Sequence, residues 1–202
     1  HYTLRAPVQH PWLVRKILAS SIIGTDELQV RVVAPDVGGS FGIKANVYPE
    51  YLLALFAANR TGRPVKWVGE RTEAFLSDFH ARDNVADAAL ALDAEGNFLG
   101  FRLRNIVNIG AYFSPLGSGP ATNNLGTLSG VYTTPAAHVE VVGVFTNSHP
   151  TAPYRGAGRP EAAFIIERII DSAADEFGFD PVELRRRNII PKDCLLYTSD
   201  AA

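Results

Sequence analysis

Among 202 residues there is one cysteine, Cys194. A lone thiol excludes an internal disulfide framework, and it excludes a thiolate-held zinc or iron–sulfur centre within this chain. No apolar run approaches the ~18–20 residues that a membrane-spanning helix needs. Charge of one sign is also lacking. The 19 Lys and Arg against 21 Asp and Glu leave a net charge of −2, so nothing in the balance points to nucleic acid or an anionic membrane. Histidines are few and scattered, at His1, His10, His80, His138 and His149, with none spaced three or four residues from another. A metal held by side chains is therefore not expected. Paired carboxylates are missing as well. Glu50, Glu161 and Glu167 fall on predicted helices as capping or surface residues, and Asp36 reads as a plain Asx turn.

What is present is 47% hydrophobic, enough for a sizeable core in one domain or two small lobes. Residues 11–19 read as a helix with an apolar face at Leu13, Ile17 and Leu18, stopped by Gly24. Residues 28–34 are valine-rich and read as a buried strand. Pro49 and Glu50 open a helix that Thr61-Gly62 closes, and residues 65–69 read as a short strand. Residues 85–92 and 98–109 form a hairpin around Asp93-Ala94-Glu95-Gly96-Asn97. The loop at 110–130 is rich in Gly, Ser, Pro, Thr and Asn, and a loop of that length is more often functional than idle. A strand is predicted at 139–146. Pro160 starts a long helix with Phe164, Ile165, Ile169, Ile170 and Ala173 as its apolar stripe and Gly178 as its stop. Asp180-Pro181-Val182-Glu183 caps a last helix. The mixed order predicts an α+β fold, with mixed sheets, antiparallel pairing and packed helices.

Two glycine turns carry the chemistry. Gly38-Gly39-Ser40-Phe41-Gly42-Ile43-Lys44 follows the predicted strand at 28–34. Tyr154-Arg155-Gly156-Ala157-Gly158-Arg159-Pro160-Glu161 precedes the long helix, whose N-terminus offers free N–H groups and partial positive charge to an anion. The first turn is not a P-loop, because Ile43 stands where a glycine must precede Lys44 and Ala45 where Ser or Thr must follow. It matches Gly-x-Ser-x-Gly in letters, but a nucleophilic Ser40 needs a helix straight after the turn, and the next predicted helix starts at Pro49. The second turn lacks the third glycine of the dinucleotide fingerprint. Together the turns suggest two backbone loops closing on one large, phosphorylated cofactor.

Four blocks lie in a fixed order: Val33-Ala34-Pro35-Asp36-Val37-Gly38-Gly39-Ser40-Phe41-Gly42-Ile43-Lys44, Arg63-Pro64-Val65-Lys66-Trp67, Ala152-Pro153-Tyr154-Arg155-Gly156-Ala157-Gly158-Arg159-Pro160-Glu161-Ala162 and Asp180-Pro181-Val182-Glu183-Leu184-Arg185-Arg186-Arg187-Asn188. In that order and spacing they resemble the first molybdenum-cofactor-binding region of the xanthine dehydrogenase/aldehyde oxidase family, nearest to the large subunit of its carbon monoxide dehydrogenase-like branch. The resemblance implies a molybdenum–molybdopterin cofactor, in the cytosine dinucleotide form, with no direct side-chain ligation of the metal. Phe41 and Gly42 match residues whose backbone approaches the metal's oxygen, Arg155 matches the arginine beside the cofactor, and Gly39 and Gly156 in the same two turns are expected to bind the cofactor with them. Copper-containing relatives carry a cysteine where this chain has Gly156, so no copper–molybdenum centre is expected. Ala45, Asn123 and Ala157 stand where the xanthine-oxidising pattern has its substrate glutamate, arginine and stacking phenylalanine. A purine would lose its polar anchors there.

The implied reaction is hydroxylation of an aldehyde or N-heterocycle with oxygen from water, electrons leaving to iron–sulfur and flavin centres. The general-base glutamate of the family is expected well downstream, so no catalytic residue is expected in this chain. Partners implied are an iron–sulfur small subunit and an FAD-binding medium subunit in a dimer of heterotrimers, in the cytoplasm. Residues 1–191 are expected to be a partial molybdopterin-binding domain. Residues 192–202 change character abruptly and read as a non-native read-through tail. The alternative is a non-catalytic phosphate- or nucleotide-binding module built on Gly156-Ala157-Gly158-Arg159-Pro160-Glu161.

Overall fold

The computed structural model of the protein describes residues 1–123 and 125–194. Most of the expected non-native tail, residues 195–202, lies outside the described residues. The elements run β1 (Tyr2–Arg5), α1 (Pro11–Lys16), β2 (Val30–Val33), α2 (Pro49–Thr61), α3 (Arg71–Ser77), β3 (Asn84–Leu92), β4 (Phe98–Gly110), α4 (Gly119–Thr122), β5 (Ala137–Phe145), α5 (Arg159–Phe177) and α6 (Pro181–Asn188). The fold is α+β with mixed sheets.

Two sheets each own a core. In the first, β1 and β2 pair in parallel from Tyr2↔Val30 to Arg5↔Val33. Leu4, Val8, Val14, Leu18, Val30 and Leu55 pack beneath them. The helix begun at Pro11 widens into a π-helix, Ile17–Ile23, and ends on left-handed Gly24 at φ 73°. In the second sheet the order is β3-β4-β5. Period-two alternation sends Phe101 and Leu103 of β4 to one face, where Ile165, Ile166 and Ile170 of α5 cover them. Burying such side chains stabilises the fold by about 1.5–3 kcal/mol each.

The hairpin forms as predicted, antiparallel from Asn84↔Val107 to Leu92↔Phe98. The expectation of antiparallel pairing fails elsewhere, because β4 and β5 run parallel from Phe101↔Ala137 to Gly110↔Phe145, as do β1 and β2. A parallel neighbour needs a long crossover, and the excursion through 111–136 provides one. The expected strand at 65–69 is absent, and that segment enters neither sheet. Phe164 leaves the predicted stripe and is 69% exposed, while Ile166 takes the buried place. Helix α6 starts where predicted. The Asp180 side chain accepts from the N–H groups of Val182 and Glu183, both at 2.9 Å.

Candidate cofactor-binding site

Strand β2 delivers the chain into the first glycine turn. Phe41 sits at φ 55° and Gly42 at φ 103°, left-handed values that cost a side-chain-bearing residue free energy. A one-turn 3₁₀ helix, Ile43–Ala45, follows and fixes the exit. Three contacts brace the turn from behind. Lys44 Nζ donates to the Val37 carbonyl, Ser40 Oγ donates to Gln9 Oε1, and the Gln9 N–H donates to the Lys44 carbonyl at 2.9 Å. Ser40 is thus engaged by an amide and not by a histidine, so the hydrolase reading of this turn falls. Below it, Tyr48 Oη donates to Asp78 Oδ1 at the end of α3. Burial, and then Asp78, hold the Tyr48 hydroxyl far above the usual tyrosine range, so it stays a donor.

The second turn precedes α5. Ala157 sits at φ 45°, between Gly156 at 92° and Gly158 at 100°, and Gly158 is the N-cap of α5. The Ala157 N–H closes the turn on the Tyr154 carbonyl at 2.7 Å. A Cβ at Gly156 would stand 2.5 Å from Cγ and Cδ of Pro160, so only glycine fits.

These two turns, more than a hundred residues apart in sequence, touch. The Arg155 N–H donates to the Phe41 carbonyl at 2.7 Å. A Cβ on Gly42 would lie 2.9 Å from the Pro153 carbonyl carbon and 3.3 Å from Tyr154 Cα. Among the described residues, the N–H groups of Gly39, Ser40, Phe41, Gly42, Gly156 and Gly158 donate to no other group. The Arg155 side chain is exposed and forms no ion pair there either. Unspent N–H groups, a helix N-terminus and a free guanidinium are donors without acceptors. They fit an anionic, oxygen-rich ligand held without side-chain metal ligation.

Gly39, Phe41, Gly42, Arg155, Gly156 and Ala157 therefore come together. Ala45 lies in the 3₁₀ turn and is only 5% exposed. Asn123 is exposed at the C-cap of α4, its N–H on the Gly119 carbonyl at 2.8 Å, and among the described residues it makes no hydrogen bond to either glycine turn. The long loop is tied in at another point, where Ser114 Oγ donates to the Thr151 carbonyl at 3.0 Å, on the segment that leads to Tyr154. Sequence reasoning missed Tyr48, Asp78 and Arg82, which brace the turns from outside them. No local pattern marks any of the three.

The molybdopterin cofactor-binding domain family matches residues 1–189. The chain belongs to that family. It is 40% identical over 184 residues to the 6-hydroxypseudooxynicotine dehydrogenase complex subunit gamma of Paenarthrobacter nicotinovorans, covering 91% of this chain and 23% of that one. It is 38% identical over 196 residues to the carbon monoxide dehydrogenase large chain of Hydrogenophaga pseudoflava, covering 95% and 24%. Quinoline 2-oxidoreductase from Pseudomonas putida 86 superposes with a TM-score of 0.85 at 36% identity, over 95% of this chain and 24% of that one. The chain thus spans about a quarter of the length of the relatives it matches. As a molybdopterin cofactor-binding domain, it presents main-chain donors at the junction of two glycine turns.

Proposed function

We propose that this chain is part of the catalytic molybdenum subunit of a hydroxylase acting on an aldehyde or N-heterocycle. The observation that carries the reading is the Arg155 N–H donating to the Phe41 carbonyl, which joins the two donor-rich turns into one cradle. Gly39, Phe41 and Gly42 would present backbone N–H groups to the oxygen-rich head of a molybdopterin. Arg155 would face its anionic groups, with Gly156 allowing close approach. When bound, the cofactor supplies transfer of water-derived oxygen to carbon and accepts the electron pair.

The residues of this chain bind and orient. Ala45, Asn123 and Ala157 offer no charged or aromatic anchor for a purine, which argues for an aldehyde or a simpler heterocycle. The names of the relatives, a hydroxypseudooxynicotine dehydrogenase and a quinoline oxidoreductase, support the heterocycle class. The glutamate that takes the proton belongs to another part of the polypeptide. The cytosine dinucleotide form of the cofactor, an iron–sulfur small subunit, an FAD-binding medium subunit, a dimer of heterotrimers and a cytoplasmic location complete the proposal. No helix among the described residues is long and apolar enough to cross a membrane. The alternative of a bare nucleotide-binding helix start is not favoured by relatives that are molybdenum enzymes.

The test is isolation of the intact subunit complex with elemental and pterin analysis, followed by turnover in ¹⁸O-labelled water. Equimolar molybdenum, release of cytidine monophosphate on hydrolysis of the pterin and label in the product are expected. A complex with no molybdenum that binds ATP or NAD instead would overturn the reading.

A further inference from the structure

Arg82 lies outside both glycine turns, yet its side chain meets the second one at three points. Nη2 donates to the Arg155 carbonyl. The guanidinium lies 5.0 Å from the centroid of the Tyr154 ring. Nε is 3.7 Å from Oε1 of Glu161, whose side chain is 12% exposed in the first turn of α5. The Arg82 backbone sits at φ 61°. A non-glycine residue in that region persists only where its surroundings over-determine it, and here they do. On one side the His80 N–H donates to the Pro150 carbonyl at 3.0 Å, while the Ala152 N–H donates to the His80 carbonyl at 2.9 Å. On the other side Asp83 accepts from the Asn108 N–H at 2.9 Å and from Asn108 Nδ2 at 2.7 Å.

We propose that Arg82 is a positioning residue for the cofactor turn. The Arg155 N–H is spent on the Phe41 carbonyl, and the Arg155 carbonyl is spent on Arg82. Both backbone groups of Arg155 are thereby fixed, one from each side, and its own guanidinium stays free. Glu161 keeps the Arg82 fork turned toward that carbonyl, and the second carboxylate oxygen of Glu161 is buried with no partner among the described residues. The charge of Arg82 is consumed by Glu161, the Tyr154 ring and the carbonyl. It is a strut and not a cofactor ligand. This rests on the cofactor reading above, because a strut matters only if the turn it shapes holds something.

The test uses the molybdenum-loaded subunit complex with Arg82→Gly, Arg82→Ala and Arg82→Lys. Glycine accepts φ 61° without strain, so Arg82→Gly removes the side chain while sparing the backbone, even if Arg82→Ala folds poorly. In Arg82→Gly, amide exchange in residues 154–158 is expected to rise about tenfold while exchange along α5 stays unchanged. The Mo(V) electron paramagnetic resonance spectrum is expected to shift, and Arg82→Lys to restore part of both signals. An unchanged spectrum with unchanged exchange at 154–158, or faster exchange spread evenly over α5 and the three-stranded sheet, overturns the strut. A wild-type complex without molybdenum overturns the cofactor reading instead, and the exchange arm then decides whether Arg82 shapes the turn.

Discussion

Replacing Gly42 with alanine tests whether the two turns are in contact in solution. A Cβ there would sit 2.9 Å from the Pro153 carbonyl carbon, and nearer still to its oxygen. Carbon atoms rest at about 3.5–4.0 Å, so the chain at Pro153 must retreat by about 1 Å. The hydrogen bond from the Arg155 N–H to the Phe41 carbonyl, 2.7 Å long, is two residues further on. A retreat of that size stretches it to about 3.7 Å, beyond hydrogen-bonding range. The left-handed backbone adds about 1–2 kcal/mol and the lost hydrogen bond about 1 kcal/mol, so the total is about 2–3 kcal/mol. Gly62→Ala is the control. Gly62 has φ 64° with nothing within 4 Å of its would-be Cβ, so it carries only the backbone part. The difference of about 1 kcal/mol corresponds to about 2–4 °C in Tm for a chain of this size. Parallel thermal melts by circular dichroism read it directly. If Gly42→Ala and Gly62→Ala melt together, the turns are not held against each other and the cradle does not exist.

Other substitutions read other parts of the structure. Asn188→Ala should destabilise by about 2–4 kcal/mol in denaturant titrations, because it strands the Phe98 N–H, which donates to Asn188 Oδ1 at 2.8 Å, and the Gly96 and Leu184 carbonyls, which accept from Nδ2. Burial, then its hydrogen bond to Glu167, push the Tyr132 hydroxyl up to about 12 from 10.0. The folded state therefore holds that proton more tightly than the unfolded one, so stability is intact below pH 10 and falls as pH rises through about 12. Denaturation midpoints across that window should lose part of this slope in Tyr132→Phe. Gly156→Cys should lower Tm and fail to create a copper site, since its Cβ meets the Pro160 ring at 2.5 Å; a stable variant that retains copper after dialysis would refute the rigid turn.

Some of this was legible in the sequence because it is written in local chemistry. Asp180-Pro181 starts α6, Pro49 and Gly62 bracket α2, Gly178 ends α5, and the hairpin turns at Asp93 to Asn97. What is set by partners was not legible. The direction of β5 depends on where the excursion through 111–136 returns the chain. Residues 65–69 have strand-like composition but enter neither sheet. Helix α3 begins with Glu70 as cap, reciprocated by Glu73, and not with the Ser or Thr that usually announces a capping box. In the site, Gly42 and Gly156 announce themselves as glycines, and Arg155 through the family blocks. Arg82 stands in a polar stretch, Ala81-Arg82-Asp83-Asn84, where an arginine predicts only solvent. Its role comes from residues 73 positions away.

The site repeats one device. Gly42 lies on the Pro153 carbonyl, Gly156 on the Pro160 ring, and Gly110 on the His149 carbonyl carbon, 2.6 Å from its would-be Cβ, with Pro150 next in line. In each case a glycine allows main chain to approach closely, and the proline alongside has a fixed φ and no N–H of its own. Such a pair is rigid without consuming donors. A β-ladder or a helix interior would give the same rigidity only by spending the N–H groups that an anionic ligand needs. Glycine against proline, braced by Arg82 and Tyr48 from outside, keeps those N–H groups both fixed in place and free to donate.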